Sequence, residues 1–124
     1  MLLLDTCIVY DWLMGELRDE GVIKTVRREG ARVSAVVVWE MAIKHALGKL
    51  PLPTTDLVTE VEAHGFDWLA IEPRHAQAVL TMPAHHRDPF DRLLIAQANV
   101  EEMRVVTYDT VFCAYRADTW IARG

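Results

Sequence analysis

Four acidic side chains have a type and a local setting that suit divalent-metal chemistry: Asp5, Glu40, Asp91 and Asp109. Asp5 and Asp109 each lie just after a short apolar run, which is the pattern of a buried strand. Glu40 and Asp91 lie in apolar stretches with a helical pattern. Carboxylate oxygens are hard ligands that favour Mg²⁺ or Mn²⁺, and several crowded carboxylates require such a cation. The residue types therefore indicate a metal site if the fold brings them together.

Each acid also has a simpler structural role, and taken singly that role is favoured. Asp5 could cap a helix, Asp91 could interact with the helix dipole, and Asp109 could begin a turn. Glu40 could pair with Lys44 at i,i+4, which is worth about 0.2–0.5 kcal/mol. Taken together, two strand ends and two helices offer carboxylates to one face, which favours a shared site.

Short apolar runs alternate with helical patterns along the chain. Strands are predicted at 1–4, 32–35, 68–71, 104–107 and, as a possible edge strand, 119–121. Helices are predicted at 7–14, 19–28, from 34 or 35 to 47, 55–64, 73–80 and 89–102, with a short helix or turn at 111–115. This alternation predicts an α/β fold in which helices cover both faces of a mostly parallel sheet of four or five strands.

The carboxyl ends of parallel strands are where such sheets bind ligands. Asp5 and Asp109 would be neighbours there if the first strand is central. Asp88 is a good N-cap and Pro89 suits the first helical position, so a helix should start at that point. Its start would lie at the opposite edge of the sheet unless the preceding loop is long. The loop at 82–87 is long enough to cross the top and carry Asp91 to the other acids.

The composition limits the classes of protein to which the chain can belong. The chain has 124 residues, 52% of them hydrophobic, which predicts one domain (1–124) with a real core. The net charge of −5 argues against a general nucleic-acid coat but not against a nuclease that uses metal ions. The sequence has no apolar run of roughly 20 residues and no signal peptide, so we expect a cytoplasmic protein. Cys7 and Cys113 should be reduced and mostly buried.

Basic side chains could contact the phosphates of a nucleic acid, although solvation is the better expectation for each one. The candidates are Lys44, Arg87, Arg92 and Arg116. Asp88 should cap its helix, and it could also support the metal-binding acids without contacting the metal itself. The sequence has no P-loop, GxGxxG, GxSxG or HExxH motif, which removes the common nucleotide, hydride and serine-hydrolase functions.

The chain resembles PIN-domain ribonucleases of the VapC toxin type along nearly its whole length. The matching segments are 3–6, 34–40 together with 44–45 and 48–50, 86–98 and 106–109. The segment at 86–98 is the most specific of them. The resemblance implies a three-layer α/β/α fold. It also implies that Asp5, Glu40, Asp91 and Asp109 form the acidic metal site, with hydroxyls at Thr6 and Thr107 beside it.

The activity implied by this resemblance is Mg²⁺- or Mn²⁺-dependent cleavage of RNA. The implied partners are an RNA substrate, an antitoxin protein that inhibits the toxin, and a second copy in a homodimer. Two alternatives stay open: a Mg²⁺-binding signalling domain and a protein-binding domain without activity. A signalling domain needs an Asp after the third strand and a Lys after the last core strand. Here the third strand is followed by Glu72, and no Lys occurs beyond Lys49.

Overall fold

A computed structural model describes residues 1–84, 88–115 and 118–124. It contains a five-stranded sheet, in which every neighbouring pair of strands is parallel. The strand order is β3-β2-β1-β4-β5. The first strand is therefore central, which is the condition for Asp5 and Asp109 to be neighbours, and the last strand lies at an edge, as predicted. The strands are β1 (Leu2–Leu4), β2 (Ala31–Ser34), β3 (Asp67–Leu69), β4 (Arg104–Thr107) and β5 (Thr119–Ile121).

Helices connect the strands and flank the sheet, which confirms the predicted α/β class. They are α1 (Thr6–Leu13), α2 (Glu20–Glu29), α3 (Ala35–Ala46), α4 (Leu57–Ala63), α5 (Pro73–Ala78) and α6 (Pro89–Glu101). Short 3₁₀ helices cover Val79–Thr81 and Thr110–Ala114. Short polar side chains accept hydrogen bonds from backbone amides in the first turn of four α-helices after α1, and these caps explain where the helices start: Asp19, Ser34, Asp56 and Asp88.

The core lies along the central strands. Leu3, Leu4, Val105 and Val106 are fully buried, since both faces of these strands are covered. Burying one such side chain stabilises the fold by about 1.5–3 kcal/mol. This continuous apolar run explains why β1 is recognisable from the sequence although it has only 3 residues.

The path from β3 to α6 shows how the start of α6 reaches the strand ends. Arg74 and His75, at the start of α5, bond to Glu101 at the end of α6. Arg92, near the start of α6, donates to the carbonyl oxygen of Pro83 at 2.9 Å. The two helices are therefore antiparallel, and α5 returns the chain toward the strand ends before α6 begins. This helix pair contributes to the position of Asp91, while residues 85–87 of the loop predicted at 82–87 lie outside the described residues.

Two further expectations are wrong in detail. β3 ends at Leu69 rather than at residue 71, and the carbonyl of Ala70 instead accepts a hydrogen bond from the Gln97 side chain at 3.2 Å. Cys7 and Cys113 are free thiols, as predicted, but both are exposed. Among the described residues, no helix is both long and apolar enough to cross a bilayer.

Candidate functional site

Asp5 lies at the junction of β1 and α1, at the carboxyl end of the central strand. Its amide donates to the carbonyl of Val106 at 2.9 Å, so the β1–β4 ladder fixes its backbone. Its side chain is buried and accepts hydrogen bonds from the Thr6 amide through Oδ1 and from the Thr107 hydroxyl through Oδ2, both at 2.7 Å. Asp5 is thus a helix cap, and it is also held firmly at the strand ends.

Glu40 reaches the same place from α3. Only 4% of this residue is exposed. Its Oε1 accepts a hydrogen bond from the Thr6 hydroxyl at 2.6 Å, which links it to the residue that follows Asp5. Its Oε2 accepts one from the Lys44 ammonium at 2.6 Å. The i,i+4 pair predicted as the simpler role of Glu40 is therefore present, together with a contact to the neighbourhood of Asp5.

Asp109 follows β4, the neighbour of β1. Its amide donates to Thr107 Oγ1 at 3.0 Å, and its Oδ1 accepts from the Val111 amide at 2.9 Å. Asp109 therefore begins the turn after β4, as its simpler role predicts. The Thr107 hydroxyl contacts both the Asp109 backbone and the Asp5 carboxylate, so these two acids lie on the same edge of the sheet.

Asp91 approaches from the first turn of α6, which is positioned by Asp88. The Asp88 carboxylate accepts from the amides of Phe90 at 2.8 Å and Asp91 at 3.2 Å. Burial raises the pKa of Asp91 to about 8, and the negative charges of Asp5, Asp88, Glu40 and Asp109 add to that rise. Asp91 therefore lies close enough to the other three candidate acids for their charges to repel one another, and we call the space between the four side chains the acidic pocket.

Asp5 shows the same crowding of charge. Burial raises its pKa to about 6, and the carboxylates of Glu40 and Asp109 contribute in the same direction. The hydrogen bonds from Thr107 and Thr6 oppose this rise because they stabilise the charged form. Carboxylates with raised pKa values, such as Asp5 and Asp91, are common at functional sites, and a bound cation would relieve the repulsion.

The spacing of the four acids suits a hydrated cation better than a closed protein cage. Among the described residues, one group of three side chains has possible ligand atoms that all lie within 4.8 Å of one another: Glu72, His75 and Glu101. This group does not include any of the four acids. Mg²⁺ usually keeps several waters and binds through one or two carboxylates, so the looser grouping of hard oxygen ligands still fits it.

The trio of Glu72, His75 and Glu101 was not anticipated from the sequence, and its own contacts explain it. His75 Nδ1 accepts the Glu72 amide at 2.9 Å, while Nε2 lies 2.9 Å from Glu101. Arg74 bonds to both glutamates. These contacts explain the trio as a structural feature: it caps the start of α5 and joins α5 to α6 through ion pairs.

The basic candidates have different surroundings. Lys44 lies at the acidic pocket through its contact with Glu40. Arg92 donates to the carbonyls of Pro83 and Val79, so it supports the turn that precedes α6, and its contact with phosphate stays a prediction. Arg87 and Arg116 lie outside the described residues.

The family of the chain follows from a comparison of its sequence with family models. The model of the PIN domain matches residues 2–118. The chain belongs to the PIN-domain family. The resemblance to PIN domains is therefore confirmed over nearly the whole length, and PIN domains are generally nucleases. No curated protein is matched by this sequence.

Solved structures share the fold along almost the whole chain. FitAcB from Neisseria gonorrhoeae has 20% identity and a TM-score of 0.68, covering 97% of this chain and 96% of that one. VapBC2 from Rickettsia felis, bound to a DNA fragment from its promoter, has 12% identity and a TM-score of 0.71, covering 96% and 98%. A toxin–antitoxin complex from Klebsiella pneumoniae has 14% identity and a TM-score of 0.65, covering 97% and 96%. At these identities the similarity shows the fold alone.

Proposed function

We propose that this PIN domain is a metal-dependent endoribonuclease and the toxin of a toxin–antitoxin pair. The observation that supports the proposal is that four carboxylates, from the end of β1, α3, α6 and the end of β4, lie close enough for their charges to interact. Burial raises the pKa of Asp5 and of Asp91, and repulsion from the neighbouring carboxylates adds to the rise, so a bound cation would be favourable at this position.

Asp5, Glu40, Asp91 and Asp109 would hold one or two Mg²⁺ or Mn²⁺ ions. Such a cation supplies positive charge that neutralises the phosphate and eases the deprotonation of an attacking water. One of the four carboxylates would accept the proton of that water as general base. The water oxygen would then form the new bond to phosphorus as the bond to the leaving oxygen breaks.

The other residues of the pocket orient the acids. The hydroxyls of Thr6 and Thr107 donate to Glu40 and Asp5, which fixes one face of each carboxylate and leaves other lone pairs for a cation. Without a cation, the acids and the net charge of −5 would repel RNA, so activity should depend strictly on the metal.

An antitoxin partner is proposed from the related folds. The structures from Klebsiella pneumoniae and Rickettsia felis are described as a toxin–antitoxin complex and as VapBC2. By analogy, we propose that this chain is cytoplasmic, forms a homodimer and is inhibited by a cognate antitoxin. Expression of the chain should then arrest growth, and co-expression of that antitoxin should restore it.

Cleavage of RNA by the purified protein tests the activity. Mn²⁺ or Mg²⁺ should support cleavage and EDTA should stop it, while Asp5→Asn and Glu40→Gln should lower the rate by orders of magnitude. Asp67→Asn is the matched control, because Asp67 is exposed at the start of β3. Full cleavage in excess EDTA would contradict the metal mechanism. Absence of cleavage with every metal and RNA would favour a protein-binding domain.

A further inference from the structure

The Glu40 carboxylate has a positively charged partner that the proposed metal mechanism does not use. Glu40 is almost fully buried, and removing a carboxylate from water is costly unless it is paired and hydrogen-bonded. The Thr6 hydroxyl satisfies Oε1, and the Lys44 ammonium lies 2.6 Å from Oε2. The side chain of Lys44 therefore provides the positive charge that Glu40 needs in the protein without metal.

Lys44 is held less firmly than the acid that it contacts. Its side chain is 43% exposed, against 5% for Glu40, so it lies at the mouth of the pocket. It also lines a small cavity of about 110 Å³ between α1 and the segment after α3, together with Cys7, Tyr10 and Leu50. The ammonium thus has open space and solvent beside it if another cation approaches Glu40.

We propose that Lys44 is a positioning residue. Its ammonium forms an ion pair with the Glu40 carboxylate in the metal-free protein and separates from it when the divalent cation binds. This inference rests on the proposed function, because it assigns Glu40 to the metal site. Two cations attracted to one carboxylate repel each other, so Lys44 and the metal compete. Once released, the ammonium is at the pocket mouth, where an RNA phosphate would approach.

Opposite effects on the two states of the protein follow from this competition. Removing the Lys44 charge should destabilise the metal-free protein, because Glu40 then faces Asp5 without a counter-ion. The same change should strengthen metal binding, because no resident cation has to be displaced. A salt bridge with a purely structural role would produce the first effect and not the second.

The experiment compares Mn²⁺ affinity and thermal unfolding in wild type, Lys44→Met, Lys44→Gln and Lys44→Arg. Lys24→Met is the control, since it removes the same charge from the exposed residue Lys24 on α2. We expect Lys44→Met and Lys44→Gln to lower the melting temperature in EDTA and to bind Mn²⁺ about three- to tenfold more tightly by calorimetry. Lys44→Arg and Lys24→Met should stay near wild type, and the KM for RNA should rise in Lys44→Met and Lys44→Gln with a smaller change in kcat.

Several results would overturn the inference, and they differ from those that overturn the proposed function. If wild type binds Mn²⁺ and cleaves RNA, but the affinity of both neutral variants is unchanged or weaker, Lys44 does not compete with the metal. An equal gain in Lys24→Met would show a general charge effect instead. If wild type binds no Mn²⁺, the proposed function and the inference both fail.

Discussion

Thr107 and Asp5, 102 positions apart in the sequence, are joined by a buried hydrogen bond of 2.7 Å from Oγ1 to Oδ2. Thr107 is fully buried at the end of β4, and its Oγ1 also accepts the amide of Asp109 at 3.0 Å. One hydroxyl therefore fixes the relative positions of the two strand ends that carry acids. It also stabilises the charged form of Asp5, whose pKa would otherwise rise further through burial.

Replacing Thr107 with Val should remove this link while keeping the shape of the side chain. The Asp5 carboxylate and the Asp109 amide would each lose a partner, which should lower the free energy of unfolding by about 1–3 kcal/mol in EDTA. Urea unfolding measures this change. Thr107→Ser keeps the hydroxyl and should lose less. Equal stability of Thr107→Val and wild type would show that the hydroxyl does not support the acids.

The metal-free protein should lose stability as pH rises. Asp5 and Asp91 have pKa values of about 6 and about 8 in the folded protein, raised from 3.8. Between about pH 4 and pH 8 the folded state therefore binds more protons than the unfolded state, so the free energy of unfolding falls across this range. Urea unfolding in EDTA at several pH values measures the slope.

The variant Asp91→Asn isolates this effect from the other titrating groups. Because the asparagine does not ionise, the fall in stability should be smaller than in wild type, most clearly toward pH 8. Saturating Mn²⁺ should also reduce the fall, since a bound cation favours the ionised acids. Identical slopes for Asp91→Asn and wild type in EDTA would show that Asp91 does not titrate in this range.

A polar contact below the acidic pocket supports the packing of α6. Ser34 Oγ donates to Gln97 Oε1 at 2.5 Å, and Gln97 Nε2 donates to the carbonyl of Ala70 at 3.2 Å. Both side chains are fully buried. Gln97→Leu should lower the free energy of unfolding by about 1–3 kcal/mol, because the Ser34 hydroxyl and the Ala70 carbonyl lose their partner. Asn99→Leu, at an exposed position on the same helix, should change it much less.

Local patterns predict the elements of this fold well. The apolar run at Leu2–Leu4 and the cap at Asp88 are each visible within a few residues, because burial of both faces and N-capping leave local signatures. The alternation of such runs with helical patterns then predicts the parallel sheet. The edge position of Thr119–Ile121 is confirmed as well.

Contacts between distant segments are not predictable in the same way. The antiparallel packing of α5 on α6 depends on His75 and Glu101, and the support under α6 depends on Ser34 and Gln97. No local spacing indicates these pairs. The predicted burial of Cys7 is wrong for a related reason, since residue type alone does not show which side of α1 faces the core.

Asp5→Asn separates the structural role of Asp5 from its proposed role as a metal ligand. The asparagine keeps the size of the side chain and its ability to cap α1, but it removes one negative charge from a crowded pocket. The metal-free variant should therefore be more stable than wild type by about 1 kcal/mol, a usual gain when a strained functional site is relieved. RNA cleavage should fall by orders of magnitude, because a proposed ligand is lost.

Thermal melts of both proteins, in EDTA and in Mg²⁺, measure the two roles of Asp5 separately. Mg²⁺ should raise the melting temperature of wild type, since it binds the folded state, and should raise that of Asp5→Asn less. Asp67→Asn removes the same charge at an exposed position and should respond to Mg²⁺ as wild type does. If Asp5→Asn melts below wild type in EDTA and gains equally from Mg²⁺, Asp5 caps α1 and does not bind the metal.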